Sequence, residues 1–330
     1  MNRLPPIAEP LGEDEAQAAF GAMLDGKLGD EDIAAFLSAL SDRGETASEI
    51  AGAARAMRAR MIPVSAPANA IDVCGTGGDG HHTLNVSTAV SLVAAACGVP
   101  VAKHGNRAAS SKAGAADTLE ALGLNLDRAA ETAEKTLADL GICFLFAARH
   151  HPAMGRIMPI RKRLGRRTIF NLMGPLANPA SVGRQLVGIA RPAYVPIYAE
   201  ALARLGTDHS LVVSGDEGLD ELSLASGNEV AEIRGDAVRM KRVTAAEAGL
   251  PSAPVEAIRG GDPAHNAGEL RKLLAGEPGP YRDAVLFNAA GALMVAGEVE
   301  SWADGVEEAG EAIDKGLAKA LLDCWIATTA

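Results

Sequence analysis

Two short loops carry most of the residues able to do chemistry. The first reads Gly75-Thr76-Gly77-Gly78-Asp79-Gly80 and runs through Thr83 to Asn85-Val86-Ser87-Thr88. The second reads Lys103-His104-Gly105-Asn106-Arg107-Ala108-Ala109-Ser110-Ser111-Lys112. Glycines allow backbone to approach a ligand closely, and polar residues opening a helix sit where its dipole favours an anion. Lys103, Arg107 and Lys112, with two serines between them, could neutralise a multiply charged ligand. Both loops therefore fit phosphate binding better than their plain alternatives, a tight strand-to-helix turn and a solvated basic loop. No Lys follows Gly80, so the nucleotide-binding P-loop pattern fails. Gly75, Gly77 and Gly80 match Gly-x-Gly-x-x-Gly. However, no helix follows directly and no acidic residue near position 95 ends a second strand, so a dinucleotide is a weak fit.

Asp220 and Glu221 follow a strand expected over 209–214. Adjacent carboxylates at the C-terminal end of a sheet strand suit magnesium, which takes oxygen ligands beside substrate phosphates. Adjacent acids on surface turns are common, so spacing alone does not assign a metal. His151 and Arg161 would face one cleft if a helix joined them, and Arg161 could clamp a carboxylate. Each is otherwise an ordinary structural residue. Cys74 has no activating base near it in sequence and reads as a packing residue. His81 and His82 read as a solvent-facing pair.

The elements around these loops change character along the chain. Residues 13 to 61 read as helices only, with Ile33, Phe36, Leu37 and Leu40 on one face and a capping box at Thr46 and Glu49. From Ala70, strands are expected over 70–74, 99–103, 142–147, 185–190 and 209–214. Helices are expected over 87–97, 115–122, 128–140 and 194–205. A hairpin over 229–243 and helices over 266–275, 281–296, 303–315 and 315–327 follow. The alternation implies an α/β fold with a mainly parallel sheet. Residues 1–66 then form a small helical domain and 67–330 a large α/β domain.

Composition narrows the function classes. The chain has 330 residues and a net charge of −11, which argues against general nucleic-acid or anionic-membrane binding. Aromatics are only 3%, so the core must use small aliphatic side chains. Four widely spaced cysteines fit a reduced, cytoplasmic protein, and no apolar run is long enough to span a membrane.

Taken together, GTGGDG at 75–80, NVST at 85–88, KHGNRAASS at 103–111, HPAM at 151–154, RTIFNLMGPLANP at 167–179 and LDE at 219–221 resemble the anthranilate phosphoribosyltransferase family, in order and at similar spacing. The resemblance implies the nucleoside phosphorylase-like transferase fold. It also implies transfer of phosphoribose from phosphoribosyl pyrophosphate to the anthranilate nitrogen, in tryptophan biosynthesis. By that pattern Gly75, Gly78, Asp79, Thr83, Asn85, Val86, Ser87, Thr88, Lys103, Asn106, Arg107, Ala108, Ala109, Ser110 and Ser111 would hold the donor. Gly75, His104, Asn106, His151, Arg161, Gly174 and Pro175 would line the anthranilate site. Ser87, Asp220 and Glu221 would help hold Mg2+, and no residue is implied as acid or base. A homodimer built through the helical domain is implied too, that domain taking in helices from about 155–180. The chain departs from the common pattern at His81-His82, Leu84 and Ala115. A nucleoside phosphorylase of the same fold and a noncatalytic phosphate-ligand binder are the competing expectations, the first disfavoured by HGNRA with the LDE pair.

Overall fold

The computed structural model describes residues 3–108 and 112–330. Three helices open it, α1 (Glu13–Leu24), α2 (Asp30–Arg43) and α3 (Ala47–Arg58). Then come β1 (Ile71–Gly75), α4 (Val86–Ala96), β2 (Val101–Gly105), α5 (Ala115–Leu122), α6 (Leu126–Glu131), α7 (Ala133–Leu140) and β3 (Ile142–Phe146). They are followed by α8 (Ala147–His150), α9 (Met154–Leu164), β4 (Arg184–Gly188), α10 (Val195–Arg204) and β5 (His209–Gly215). A hairpin, β6 (Asn228–Arg234) and β7 (Ala237–Val243), precedes α11 (Pro263–Leu274), α12 (Pro280–Ala296), α13 (Trp302–Asp314) and α14 (Leu317–Thr328).

Among the described residues the strands form one sheet in the order β3-β2-β1-β4-β5-β6-β7. It is parallel from β3 to β5, and β6 and β7 run antiparallel at one edge. The order reverses between β1 and β4, and open sheets of this kind bind ligands outside the carboxyl ends of the strands at such a point. Period-two alternation sends side chains to two different cores. Val73, Leu186, Leu211 and Val213 pack beneath α4 and α11–α14, while Val187, Ile189, Val212 and Ile233 face α10 and the N-terminal helices. A small N-terminal helical domain therefore lies against one face of a large, mainly parallel α/β domain.

The helical body is more than α1–α3. Ile157 and Ile160 of α9 and Ile169, Phe170 and Leu176 after it bury in the same core. Phe20 sits edge-on to both Phe36 and Phe170, with ring centroids 5.9 and 5.8 Å apart. Thr46 caps α3 with Glu49 as its spacing predicts, and Glu49 Oε1 also accepts the Leu11 N–H at 2.9 Å. One local expectation changes. The single helix over 128–140 is α6 and α7, divided at Thr132, whose hydroxyl donates to the Arg128 carbonyl at 2.7 Å. The helix on which the pairing of His151 with Arg161 depended is α9, which continues through Pro159.

Gly75 and Gly188 end β1 and β4 opposite one another in register. The loop carrying Asp220 lies directly across both. A Cβ on Gly188 would overlap the Asp220 backbone carbonyl, and one on Gly75 would overlap the Asp220 carboxylate. The loop is also tied from below: Asn288 of α12 accepts the Leu222 N–H at 2.8 Å and donates to the Leu222 carbonyl at 2.9 Å. The contact at Gly188 is to backbone, so nothing soft can move aside. We expect Gly188→Ala to cost about 3 kcal/mol, the upper end of usual overpacking penalties. Urea unfolding checks this, and an unchanged midpoint would remove the close approach as a constraint.

Candidate active site

The acid pair is the centre of the site. Gly77 N–H donates to Asp220 Oδ2 at 2.6 Å, and Ser87 N–H donates to Glu221 Oε1 at 3.2 Å. One acid thus grips the glycine loop and the other the first turn of α4. Shielding from water and the neighbouring Asp79 charge push Asp220 up to about 7. Shielding and the Asp220 charge raise Glu221 well above the usual carboxylate range. Among the described residues neither acid makes an ion pair, and Lys103 is the cation that acts on Glu221. Lys103 is 2% exposed, and its Nζ donates to the Val73 carbonyl at 2.8 Å, with Ser87 Oγ 3.5 Å away. When both ionise, two crowded carboxylates beside a hydroxyl carry more negative charge than one lysine answers. That donor set suits a hard divalent cation completing its shell with water and phosphate oxygens. No three His, Cys, Asp or Glu side chains among the described residues gather as a protein-only metal cage.

The first turn of α4 adds a second unmet demand. Thr88 is buried, and its hydroxyl has no partner among the described residues. Asn85 is turned inward instead. Its Oδ1 accepts from Thr118 at 2.5 Å and Asn266 at 2.9 Å, and its Nδ2 donates to the Ala113 carbonyl at 3.3 Å. Val86 is buried at the start of the helix. Thr83 pairs across to Arg259, and the His81 N–H donates to Asp79 Oδ1 at 3.1 Å.

The second loop does not present one cation cluster. Lys103 belongs to β2 and points beneath the acids. Arg107 turns outward to Asp117 at 2.9 Å and Glu120 at 2.8 Å, its guanidinium over the Phe146 ring, and Lys112 is exposed. Asp117, which the sequence reading did not single out, organises the turn. Its Oδ2 accepts the N–H groups of Ala108 and Gly114, each at 2.9 Å. Asn106 accepts the Arg107 N–H at 2.8 Å. Ala109, Ser110 and Ser111 lie outside the described residues.

A separate group of residues gathers beyond β2. His104 and His151 are buried with ring centroids 5.3 Å apart. His104 Nδ1 lies 2.9 Å from the Gly174 carbonyl. A carbonyl only accepts, so Nδ1 carries the proton and Nε2 keeps a lone pair. That Nε2, like His151 Nε2, is buried without a partner among the described residues. Pro175 is buried beside Gly174, and its carbonyl accepts from Gln185 at 2.7 Å. Arg161 comes from α9. It is half-buried, has Met158 Sδ at 3.6 Å, and makes no ion pair among the described residues, while burial lowers its pKa. A shielded guanidinium without an acid is suited to a ligand carboxylate. Below the group lies Asp72, fully buried. It accepts the His104 N–H at 3.0 Å and Asn178 Nδ2 at 2.8 Å, which fixes β2 against the 174–178 turn.

Burial, with His151 nearby, pushes His104 down to about 3, and burial pushes His151 down to about 4. The unfolded chain would protonate these rings below about 6.5, and the folded chain does not. Their contribution to stability is therefore complete above about 6.5 and is lost as pH falls toward 3. His104→Gln removes one such ring. Its melting temperature should fall less steeply than the parent's between pH 6.5 and 4 in thermal melts. Identical slopes would contradict the buried neutral imidazole.

Residues 67–319 match the model of the "Glycosyl transferase family, a/b domain", and residues 7–61 match its "helical bundle domain". The chain is 80% identical over 327 residues to anthranilate phosphoribosyltransferase of Novosphingobium aromaticivorans, covering 99% of each chain. The solved anthranilate phosphoribosyltransferase of Thermus thermophilus superposes with a TM-score of 0.92 at 45% identity, covering 97% of this chain and 96% of that one. The Saccharomyces cerevisiae enzyme in complex with PRPP and Mg gives 0.88 at 28% identity, covering 97% and 93%. The chain belongs to the anthranilate phosphoribosyltransferase family.

Proposed function

We propose that this chain transfers the 5-phosphoribosyl group from phosphoribosyl pyrophosphate to the amino group of anthranilate, releasing pyrophosphate, in tryptophan biosynthesis. The observation that carries the reading is the acid pair Asp220 and Glu221, laid across the glycine loop and the first turn of α4 at the sheet's switch point. The donor's pyrophosphate lies along Gly75, Gly78 and Asp79 and the first turn of α4 at Val86, Ser87 and Thr88. Thr83, Asn85, Lys103, Asn106 and Arg107 to Ser111 complete the donor pocket. The unmet Thr88 hydroxyl supports this, while the inward side chain of Asn85 leaves its backbone for the role. Arg107 exchanges Asp117 and Glu120 for the donor when it binds. Ser87, Asp220 and Glu221 hold Mg2+, which when bound offsets negative charge on the departing pyrophosphate.

Anthranilate enters between Gly75, Asn106, the His104–His151 pair and the Gly174-Pro175 turn, with its carboxylate on Arg161. The Nε2 lone pair of His104 is available to an amine N–H. An aromatic amine is nucleophilic while neutral, so the protein aligns more than it activates. The amine nitrogen attacks C1 of the ribose, the bond from C1 to the pyrophosphate oxygen breaks, and the amine's surplus proton leaves with the released pyrophosphate. Aligning two substrates can lower a barrier by up to about 7–11 kcal/mol. N–H donors fixed at the glycine loop stabilise charge on the leaving group. We further propose that residues 1–66 together with about 155–180 move as one domain against the remainder of 67–330, excluding water from the donor. A homodimer through that helical domain and a reducing, cytoplasmic location complete the reading. The four unpaired cysteines are consistent with that location.

With Mg2+ and phosphoribosyl pyrophosphate, anthranilate fluorescence should decay with turnover. No decay, with phosphorolysis of a pyrimidine nucleoside instead, would contradict the assignment. Arg161→Ala should raise the anthranilate KM about 10- to 100-fold, as expected for losing a charged hydrogen bond. An unchanged KM removes that role. Asp220→Asn with Glu221→Gln should shift a magnesium titration of activity to higher concentration, and a titration overlaying the parent's would exclude these acids.

A further inference from the structure

Arg167 lies where the helical body meets the glycine loop. It follows α9, and its backbone carbonyl accepts the hydroxyl of Ser41 in α2 at 3.0 Å. Its guanidinium reaches the other way. Nη1 donates to the Gly78 carbonyl at 2.8 Å and Nη2 to the Gly77 carbonyl at 3.4 Å. Gly77 is the residue whose N–H meets Asp220 at 2.6 Å. A cation and a carboxylate therefore grip one glycine from its two ends. Among the described residues Arg167 makes no ion pair, and burial and the nearby Arg191 lower its pKa. A half-buried charge is thus committed to two backbone carbonyls. An anion-binding loop turns N–H groups toward its ligand, and its carbonyls then need donors from behind. Gly78 fits this arrangement: its φ is +75°, and a Cβ there would stand 2.8 Å from Nη1.

We propose that Arg167 is a positioning residue that ties the helical domain to the donor loop, holding Gly77 so that its N–H meets Asp220 and the loop is preformed for the pyrophosphate. The inference rests on the donor site proposed above. It makes a continuous link from Ser41 in α2, through Arg167 and Gly77, to Asp220. Movement of the helical body is thereby transmitted to the metal-binding acid through three hydrogen-bonded steps.

The test uses the intact enzyme with Mg2+, phosphoribosyl pyrophosphate and anthranilate, together with hydrogen exchange of residues 75–80 in the free enzyme. Arg167→Ala should lower kcat/KM for phosphoribosyl pyrophosphate at least about tenfold, the scale of a charged hydrogen bond. The anthranilate KM should stay within twofold. Exchange in 75–80 should accelerate while the melting temperature holds. Arg167→Lys, with one cation on a shorter fork, should recover part of both losses. Ser41→Ala should give about a threefold loss in the same parameter. If Arg167→Ala does not fold, Arg167→Lys and Ser41→Ala carry the same comparison. Donor kcat/KM within twofold of the parent in these variants, a loss confined to the anthranilate KM, or unchanged exchange in 75–80 would each overturn the proposal. If the parent enzyme itself fails to turn over these substrates, the donor-site reading falls, and the exchange comparison still decides whether Arg167 holds the loop.

Discussion

The constraint on which this structure depends is the seating of the Asp220 carbonyl and carboxylate over the paired ends of β1 and β4. Gly188 and Gly75 leave room for that seat, and Asn288 holds it from below. Once seated, Asp220 and Glu221 each take an N–H from a different element. Burial first, and then the neighbouring Asp79 charge on Asp220 and the Asp220 charge on Glu221, make both acids resist ionisation. The proposed divalent cation would reverse the balance, because the charge that destabilises the free site would become the charge that binds.

Two other networks serve that centre without touching it. Asp72 locks β2 to the 174–178 turn through His104 and Asn178, and so holds the histidine pair in place beside the glycine loop. Asp117 shapes the second loop from α5 while engaging Arg107. In both, a carboxylate accepts a backbone N–H as well as a side-chain donor. The glycine loop and the histidine pair are in this way adjacent but independently supported.

Local patterns were legible in the sequence. The capping box at Thr46, the strand-helix alternation and the glycine-rich turn at 75–80 all act within a few residues, where propensity and periodicity have meaning. The fold class followed from the alternation, and the family from the resemblance carried jointly by the motifs between residues 75 and 221. What escaped is non-local or inverted in sense. Arg167 meets Gly77 across 90 residues of chain. Lys103 looks like one of three loop cations and is buried beneath the acids, because its place on β2 turns it inward. Asn85 looks like a helix-end ligand and instead ties α4 to Thr118 and Asn266. The sequence shows that a side chain can make a bond, and only the fold decides with which partner.

The central claim is that the acid pair and the glycine loop form one metal-assisted donor site. Crystals grown with phosphoribosyl pyrophosphate and Mn2+, which scatters anomalously in place of Mg2+, test it most directly. The account predicts an anomalous peak roughly 2–2.5 Å from a carboxylate oxygen of Asp220 or Glu221, with pyrophosphate density along residues 75–88. A peak remote from both acids, or donor density away from that loop, would contradict it.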